Sequence, residues 1–322
     1  MSASWTVGLR SSWLQGAAFA ACALTLPAGC GGEKKAETAR IKPAETGNAA
    51  AKVESKTGAD SGSKLSKPEA QPVASAGPEK SAEKKGGDAG GWGTLVGQFV
   101  LEDAPPEQQI LIAKGDAKAK DAEICAAEAI PVEDLVVDGA SRGILNIFIY
   151  LRKAGAVHPD LKESTAKEVV FDQKGCRFVP HAIVARTDQV VRVKSNDKLQ
   201  HNTHTYPARN KGMNILMKPV DREGQLVAYQ QPEVMPFQVK CDVHTWMTAY
   251  WLIVDHPYAA ITDAQGRFTI EKLPAGEQEF RVWHERPKYL ERSRKVVIRS
   301  GETTDLGTIK VPLANLAVSA GS

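Results

Sequence analysis

The sequence predicts an all-β fold: two β-sandwiches following a long disordered N-terminal region. Three observations carry this. From Trp92 onward the chain breaks into short runs rich in β-branched residues, with Gly, Pro, Asn and Asp between them. No long amphipathic helix interrupts these runs, and many short strands with regular turns argue for sandwiches or barrels. Residues 31–90, by contrast, are Ala, Lys, Glu, Gly, Ser and Pro without one aromatic residue. Such a segment buries too little apolar surface to offset its chain entropy. The 322 residues suffice for two modest domains, and a net charge of +3 gives no case for a nucleic-acid partner.

In chain order, residues 1–30 read as an export signal. Arg10 is a short basic region, and "WLQGAAFAACALTLPAG" is apolar, rich in small residues and too short to span and stay. It ends at Cys30, and "LPAGC" resembles the lipobox of bacterial lipoproteins. That resemblance implies lipidation of Cys30 and a periplasmic or envelope location, with a diacylated cysteine giving stable anchoring. Residues 31–90 then form a disordered linker, a tether with a span of about 40–45 Å.

Strands are expected over 94–101, 145–152, 181–186, 189–195, 237–241, 249–254, 267–273, 279–285 and 294–299. "VVRVKS" alternates clearly, with Val191 and Val193 on one face and Arg192 and Lys194 on the other. "TDAQGRF" has the Asp and Gly of a tight hairpin.

The chemistry centres on "KCDVHTWMTAY". Cys241, His244 and Met247 follow one another at three-residue spacing, on a short loop between two expected strands. A further ligand is available from "LQHNTHTY", which holds His201 and His204. Two histidines and a cysteine in a plane, with a weak axial methionine, make a blue-copper electron-transfer site. Thiolate and imidazole suit both copper oxidation states, so little rearranges when an electron arrives. His204, three residues past His201, points to the opposite side of an extended chain.

"CDVHTWM" has the Cys-x2-His-x2-Met spacing of the amicyanin branch of the cupredoxins, and "HNTH" resembles the His-Asn-x-His of that family. The likeness runs from about Cys176 to Asp255. It implies a Greek-key cupredoxin sandwich holding one type 1 copper ion on His201, Cys241, His244 and Met247. It further implies Asn202 and residue 242 behind the ligands, His244 as the edge through which electrons pass, and a redox protein as partner. Trp246, Met235 and Pro236 would form an apolar docking patch around that edge, or Trp246 would pack inward. The family commonly has Ser or Thr after the cysteine; here Asp242 stands there. It can accept a bond from the Asn202 amide, and its added negative charge should favour Cu(II). The segment between Thr205 and Val234 is expected to be loop-rich. Met213, Met217 and Met235 suit packing better than a Cu(I)-donating cluster.

Of five cysteines, Cys22 lies in the signal and Cys30 would carry lipid. An exported chain with three left should pair two. With Cys241 as a ligand, the disulfide is Cys125–Cys176. His158, His181, His256 and His284 have no spaced partners. The familiar hydrolase, P-loop, zinc-protease and dinucleotide signatures are missing, so no enzyme is expected.

"YAAITDAQGRFTIEKLPAGEQEFRVWHE" followed by "KVVIRSGETTDLGTIKV" resembles the carboxypeptidase regulatory-like domain, a small prealbumin-type sandwich. Its first strands would lie at 91–165, before a cupredoxin domain at 166–256, and the remainder at 257–314, with a tail at 315–322. The whole chain also resembles bacterial exported proteins labelled methylamine-utilisation or plastocyanin-like. A copper-delivery protein or a structural β protein is the alternative.

Overall fold

The structure, a computed structural model, describes residues 90–318. The expected signal segment, the lipidation at Cys30, and the linker up to residue 89 lie outside the described residues. The chain opens with β1 (Trp92–Leu101), β2 (Ile110–Ile112), α1 (Ala122–Cys125), β3 (Ile130–Pro131) and β4 (Phe148–Leu151). The middle third holds β5 (Glu168–Gln173), β6 (Phe178–Val179), β7 (Ala182–Arg186), β8 (Val190–Val193), β9 (His201–Thr205), β10 (Asn214–Met217), β11 (Gln225–Ala228), β12 (Phe237–Lys240) and β13 (Thr248–Val254). The last part holds β14 (Ala259–Ile261), β15 (Arg267–Pro274), β16 (Gly276–His284), β17 (Lys288–Ile298) and β18 (Thr303–Val311). The fold is thus all-β.

Strands from the two ends of the chain share sheets. β1 runs antiparallel to β15 and parallel to β18, and β4 lies between β14 and β16, with β17 at the edge. Leu95, Phe99, Ile149, Phe268, Phe280 and Ile298 are among the buried residues of one core between these sheets. Leu316, assigned to the tail from sequence, is fully buried in that core. The middle third builds a second core between the sheets β10-β9-β12-β13-β7 and β11-β8-β5-β6. Its centre is Trp251, which meets Phe171 edge-on at 4.8 Å between ring centroids.

Two strands are buried on both faces, which is why they read as unbroken apolar runs. In β13, Ala249, Trp251 and Ile253 enter the second core, while Tyr250, Leu252 and Val254 turn the other way. In β4, Ile149 and Leu151 enter the first core, while Phe148 and Tyr150 face out. The outward sets meet, with Trp283 between Phe148 (5.5 Å) and Tyr250 (5.1 Å). The period-two alternation of a strand therefore joins the two sandwiches.

Two local expectations change. "TDAQGRF" is a tight turn, with Gly266 N–H donating to Asp263 O at 2.8 Å, but it joins β14 and β15 in different sheets rather than closing a hairpin. Gly266 has φ +75°, and a Cβ there would lie 2.0 Å from the Phe99 carbonyl oxygen. The Thr205–Val234 stretch, by contrast, is loop-rich as expected, with β10 and β11 as two short strands within it. Residues 113–129, counted with the first sandwich from sequence, pack instead on the second core through Cys125 and Ala126, with Ala119, Ala122 and Ile124 partly buried against it. Cys125 and Cys176 form a disulfide across 51 positions, and Cys241 is the free cysteine among the described residues.

Candidate metal centre

β9 and β12 pair antiparallel, Val239 with Thr205 and Lys240 with His204. The start of β9 therefore lies beside the loop that leaves β12. His201 is the first residue of β9, and Cys241 is the first residue after β12. The loop folds back on itself: Met247 N–H donates to His244 O (2.8 Å), Cys241 N–H to Met247 O (3.1 Å) and His244 N–H to Cys241 Sγ (3.3 Å). This closure puts β13 immediately after Met247. His201, Cys241, His244 and Met247 are all buried.

Three ligand atoms converge. His201 Nδ1 and His244 Nδ1 are 3.0 Å apart, and Cys241 Sγ is 3.9 Å from the first and 4.0 Å from the second. An ion equidistant from all three would lie about 2.1 Å from each, close to ordinary metal–imidazole and metal–thiolate distances. Two imidazoles and a thiolate around one point fit copper by donor type as well as by spacing. Met247, 2% exposed, closes the loop and carries a thioether, a soft donor type that also suits copper.

The other nitrogen of each imidazole meets a carboxylate. His201 Nε2 is 2.9 Å from Asp197 Oδ2, and His244 Nε2 is 2.9 Å from Asp121 Oδ2. This pattern fixes ring orientation and tautomer, leaving Nδ1 free to coordinate. Asp197 also accepts from the backbone N–H of Gly175 (2.6 Å) and Cys176 (2.8 Å). Burial pushes its carboxyl up, but the bonds from His201 and from these amides outweigh that and hold it below the usual range. His201 is opposed by burial too, yet Asp197 and Cys241 raise its pKa. Burial alone would raise the Cys241 thiol; its contacts with His201 and His244, then with Asn202 and the His244 amide, instead bring it down to about 6. These contacts favour the thiolate, the form a metal needs.

Asn202 ties the loop to β9. Its Oδ1 accepts from the N–H of Asp242 (2.7 Å) and lies 3.3 Å from Cys241 Sγ, and its Nδ2 donates to Asp242 Oδ2 (2.8 Å). Asp242 thus occupies the position where the sequence expects a hydroxyl, and its carboxylate also takes bonds from Asn214 (2.9 Å) and His204 (3.0 Å). His204 does not join the ligand triangle; it sits against Asp242 and stacks on Tyr206 at 4.4 Å.

One expectation is corrected, and one open alternative is decided. His244 is 0% exposed, so it is not an open edge; Asp121 and its segment cover it. Trp246 packs inward, its Nε1 donating to Cys176 O at 3.1 Å, while Pro236 is buried and Met235 is exposed. The remaining histidines have structural partners of their own. His181 is bound to Glu285 (2.6 Å), His158 stacks edge-on with Trp92, and His256 accepts from Tyr258 N–H. His284 ends β16 and is buried, while Glu285, in the turn that follows, serves His181. Met217 is fully buried in the second core and Met213 packs against it.

The sequence reading missed Asp197 and Asp121. Asp197 had a faint signal, four residues before His201 in "NDKLQH". Asp121 had none, lying 123 positions from the histidine it holds.

No family model matches the chain, and no curated protein matches it. Among solved structures it is similar to amicyanin from Paracoccus versutus, at 11% identity and TM-score 0.24, covering 33% of this chain and 96% of that one. A purple cupredoxin from Nitrosopumilus maritimus gives 11% identity and TM-score 0.22, over 27% of this chain and 99% of that one. A copper-containing nitrite reductase from Thermus scotoductus gives 13% identity and TM-score 0.23, over 31% of this chain and only 27% of the enzyme.

Proposed function

We propose that this chain is an exported type 1 copper protein that passes single electrons, tethered to a membrane by lipid on Cys30. The observation that carries the reading is the triangle of His201 Nδ1, His244 Nδ1 and Cys241 Sγ around one buried point. Bound copper supplies a one-electron couple between Cu(II) and Cu(I). His201, Cys241 and His244 would hold it, with the Met247 thioether as a further, weaker donor. Asp197 and Asp121 orient the two imidazoles, and the buried setting keeps water from the thiolate. Because His244 is covered, electrons leave by another route. The hydrogen-bonded groups leading from the thiolate to the surface are Asn202, Asp242 and His204, and Tyr206 beyond them is 47% exposed. A redox protein docking there is the partner on this reading, and no bond-breaking chemistry is assigned to the chain.

The test is to add Cu(II) to the purified protein and record its visible spectrum. An intense thiolate-to-copper band, lost in Cys241→Ser, supports the reading. A colourless protein, or a colour that survives the substitution, overturns it.

A further inference from the structure

The segment 113–129 enters the proposed electron-transfer reading only through Asp121, yet it reaches the candidate metal centre at several points. Asp121 Oδ2 meets His244 Nε2 at 2.9 Å, and Lys120 Nζ donates to the Val243 carbonyl at 3.0 Å. Four residues on, Cys125 is joined to Cys176. The backbone N–H of Cys176 donates to Asp197, which holds His201, and its carbonyl accepts from Trp246 in the ligand loop. One disulfide therefore stands between the two carboxylates that orient the two histidines. Asp121 itself has φ 52° and ψ 44°, a left-handed conformation uncommon outside glycine and tolerated best by Asp and Asn. The segment is closed locally by Gly115 N–H to Ala126 O at 2.7 Å.

We propose that this segment is a built-in arm of the metal centre, in which Asp121 positions His244 and shuts its outer edge, with the Cys125–Cys176 disulfide holding the arm in place. The proposal rests on the copper reading for its metal, but the closure belongs to the protein alone. The physical case is direct. A histidine on a short loop has two ways to lose its ligand geometry: ring flip and outward swing. The carboxylate at Nε2 opposes the flip, because the flipped ring no longer presents an N–H there. The arm opposes the swing, because the space His244 would enter is filled, as its 0% exposure records. Partners that orient ligating histidines in this way are worth roughly 10–100-fold in metal affinity. Asp121 is thus a positioning residue, acting on the metal through His244.

The experiment compares wild type, Asp121→Ala and Asp121→Asn as full-length proteins, with two readouts. In the metal-free protein, diethyl pyrocarbonate modification of His244 is followed by peptide mass spectrometry. Loading with copper alone then gives the Cu(II) dissociation constant and the visible spectrum. We expect Asp121→Ala to raise His244 reactivity at least about tenfold and to weaken Cu(II) binding by about 10–100-fold. The metal-free thermal midpoint should stay close to wild type in Asp121→Asn, whereas Asp121→Ala, at a left-handed position, should lower it by only the few degrees that backbone strain gives. Asp121→Asn keeps an oxygen acceptor for His244 Nε2 and should restore most of both effects. Unchanged reactivity in Asp121→Ala overturns the closure. Raised reactivity with unchanged affinity overturns the positioning role. An affinity loss matched by a fallen metal-free midpoint in both variants reduces Asp121 to a structural residue and overturns the proposal as well. If wild type takes up no copper in a Cys241-dependent way, the copper reading fails, and His244 reactivity still decides the closure.

Discussion

Asp242 offers a quantitative test of the site's electrostatics. It is the one negative charge fixed next to the thiolate residue, held by Asn202, Asn214 and His204 at 2.8, 2.9 and 3.0 Å. Its side chain is 48% exposed, so its field is heavily screened. For a charge about 8 Å from the copper position and an effective dielectric of about 40–80, the interaction is roughly 0.5–1 kcal/mol. Removing it destabilises Cu(II) more than Cu(I) by that amount. With about 59 mV per tenfold for a one-electron couple, Asp242→Asn should raise the potential by about 20–45 mV. The substitution keeps an oxygen acceptor for the Asn202 amide, so the loop should hold and the visible band should remain. Voltammetry of the copper-loaded proteins measures the shift directly, and it should shrink at high salt as screening increases. A lowered potential, or no shift with the band intact, would refute the claim that the Asp242 charge tunes the metal.

Two further outcomes concern the fold around the site. Burial, then the Arg286 charge, push His284 down to about 3 in the folded protein, against an ordinary value near 6.5. The unfolded chain therefore binds the extra proton first, so His284's stability contribution is complete above about pH 6.5 and is lost as pH falls toward 3. His284→Leu should reduce the loss of stability between pH 7 and pH 4 by about 3 kcal/mol, read from denaturant unfolding at both pH values; equal pH dependence in the two proteins would contradict it. Trp251→Ala should cost about 3–5 kcal/mol in denaturant unfolding, because the ring is fully buried against Phe171 at the centre of the second core.

How far the sequence reads ahead of the structure depends on which force shapes each part. β8 and β13 were legible because their burial is written in apolar side chains: Val191 and Val193 alternate with charge, and "AYWLIV" is apolar throughout because both of its faces are covered. β9 was not read as a strand. "HNTHT" has no β-like composition, although four of its five residues are buried. Its extended form comes from pairing with β10 and β12, which sequence alone does not reveal. The candidate ligands Cys241 and His244 were legible because spacing within a loop is a one-dimensional property, whereas His201 was read from the likeness of "HNTH" to the amicyanin pattern. What covers a ligand is not. The exposure of His244 was misjudged because the covering group comes from an arm more than a hundred positions away, brought in by tertiary packing and a disulfide.

That covering group bears on which kind of copper protein this would be. A delivery protein hands its ion on by letting an incoming ligand replace one of its own, which needs at least one ligand that can swing out. Here His201 is fixed by β9 and Asp197, Cys241 by the closed loop and Asn202, and His244 by Asp121 under the arm. Each ligand is held by at least one residue outside the loop, and these residues come from separate parts of the chain. Such a site is costly to open but needs little movement to change the charge on its ion. An electron crosses a covered edge through bonds and packed atoms, whereas an ion must leave through a gap. On the proposed copper reading, this arrangement supports electron carriage rather than copper donation, for the same reason that it removes His244 as the contact point. A docking partner would have to reach the centre from another side, and the hydrogen-bonded series from Asn202 through Asp242 to His204 ends at Tyr206, where the surface is open.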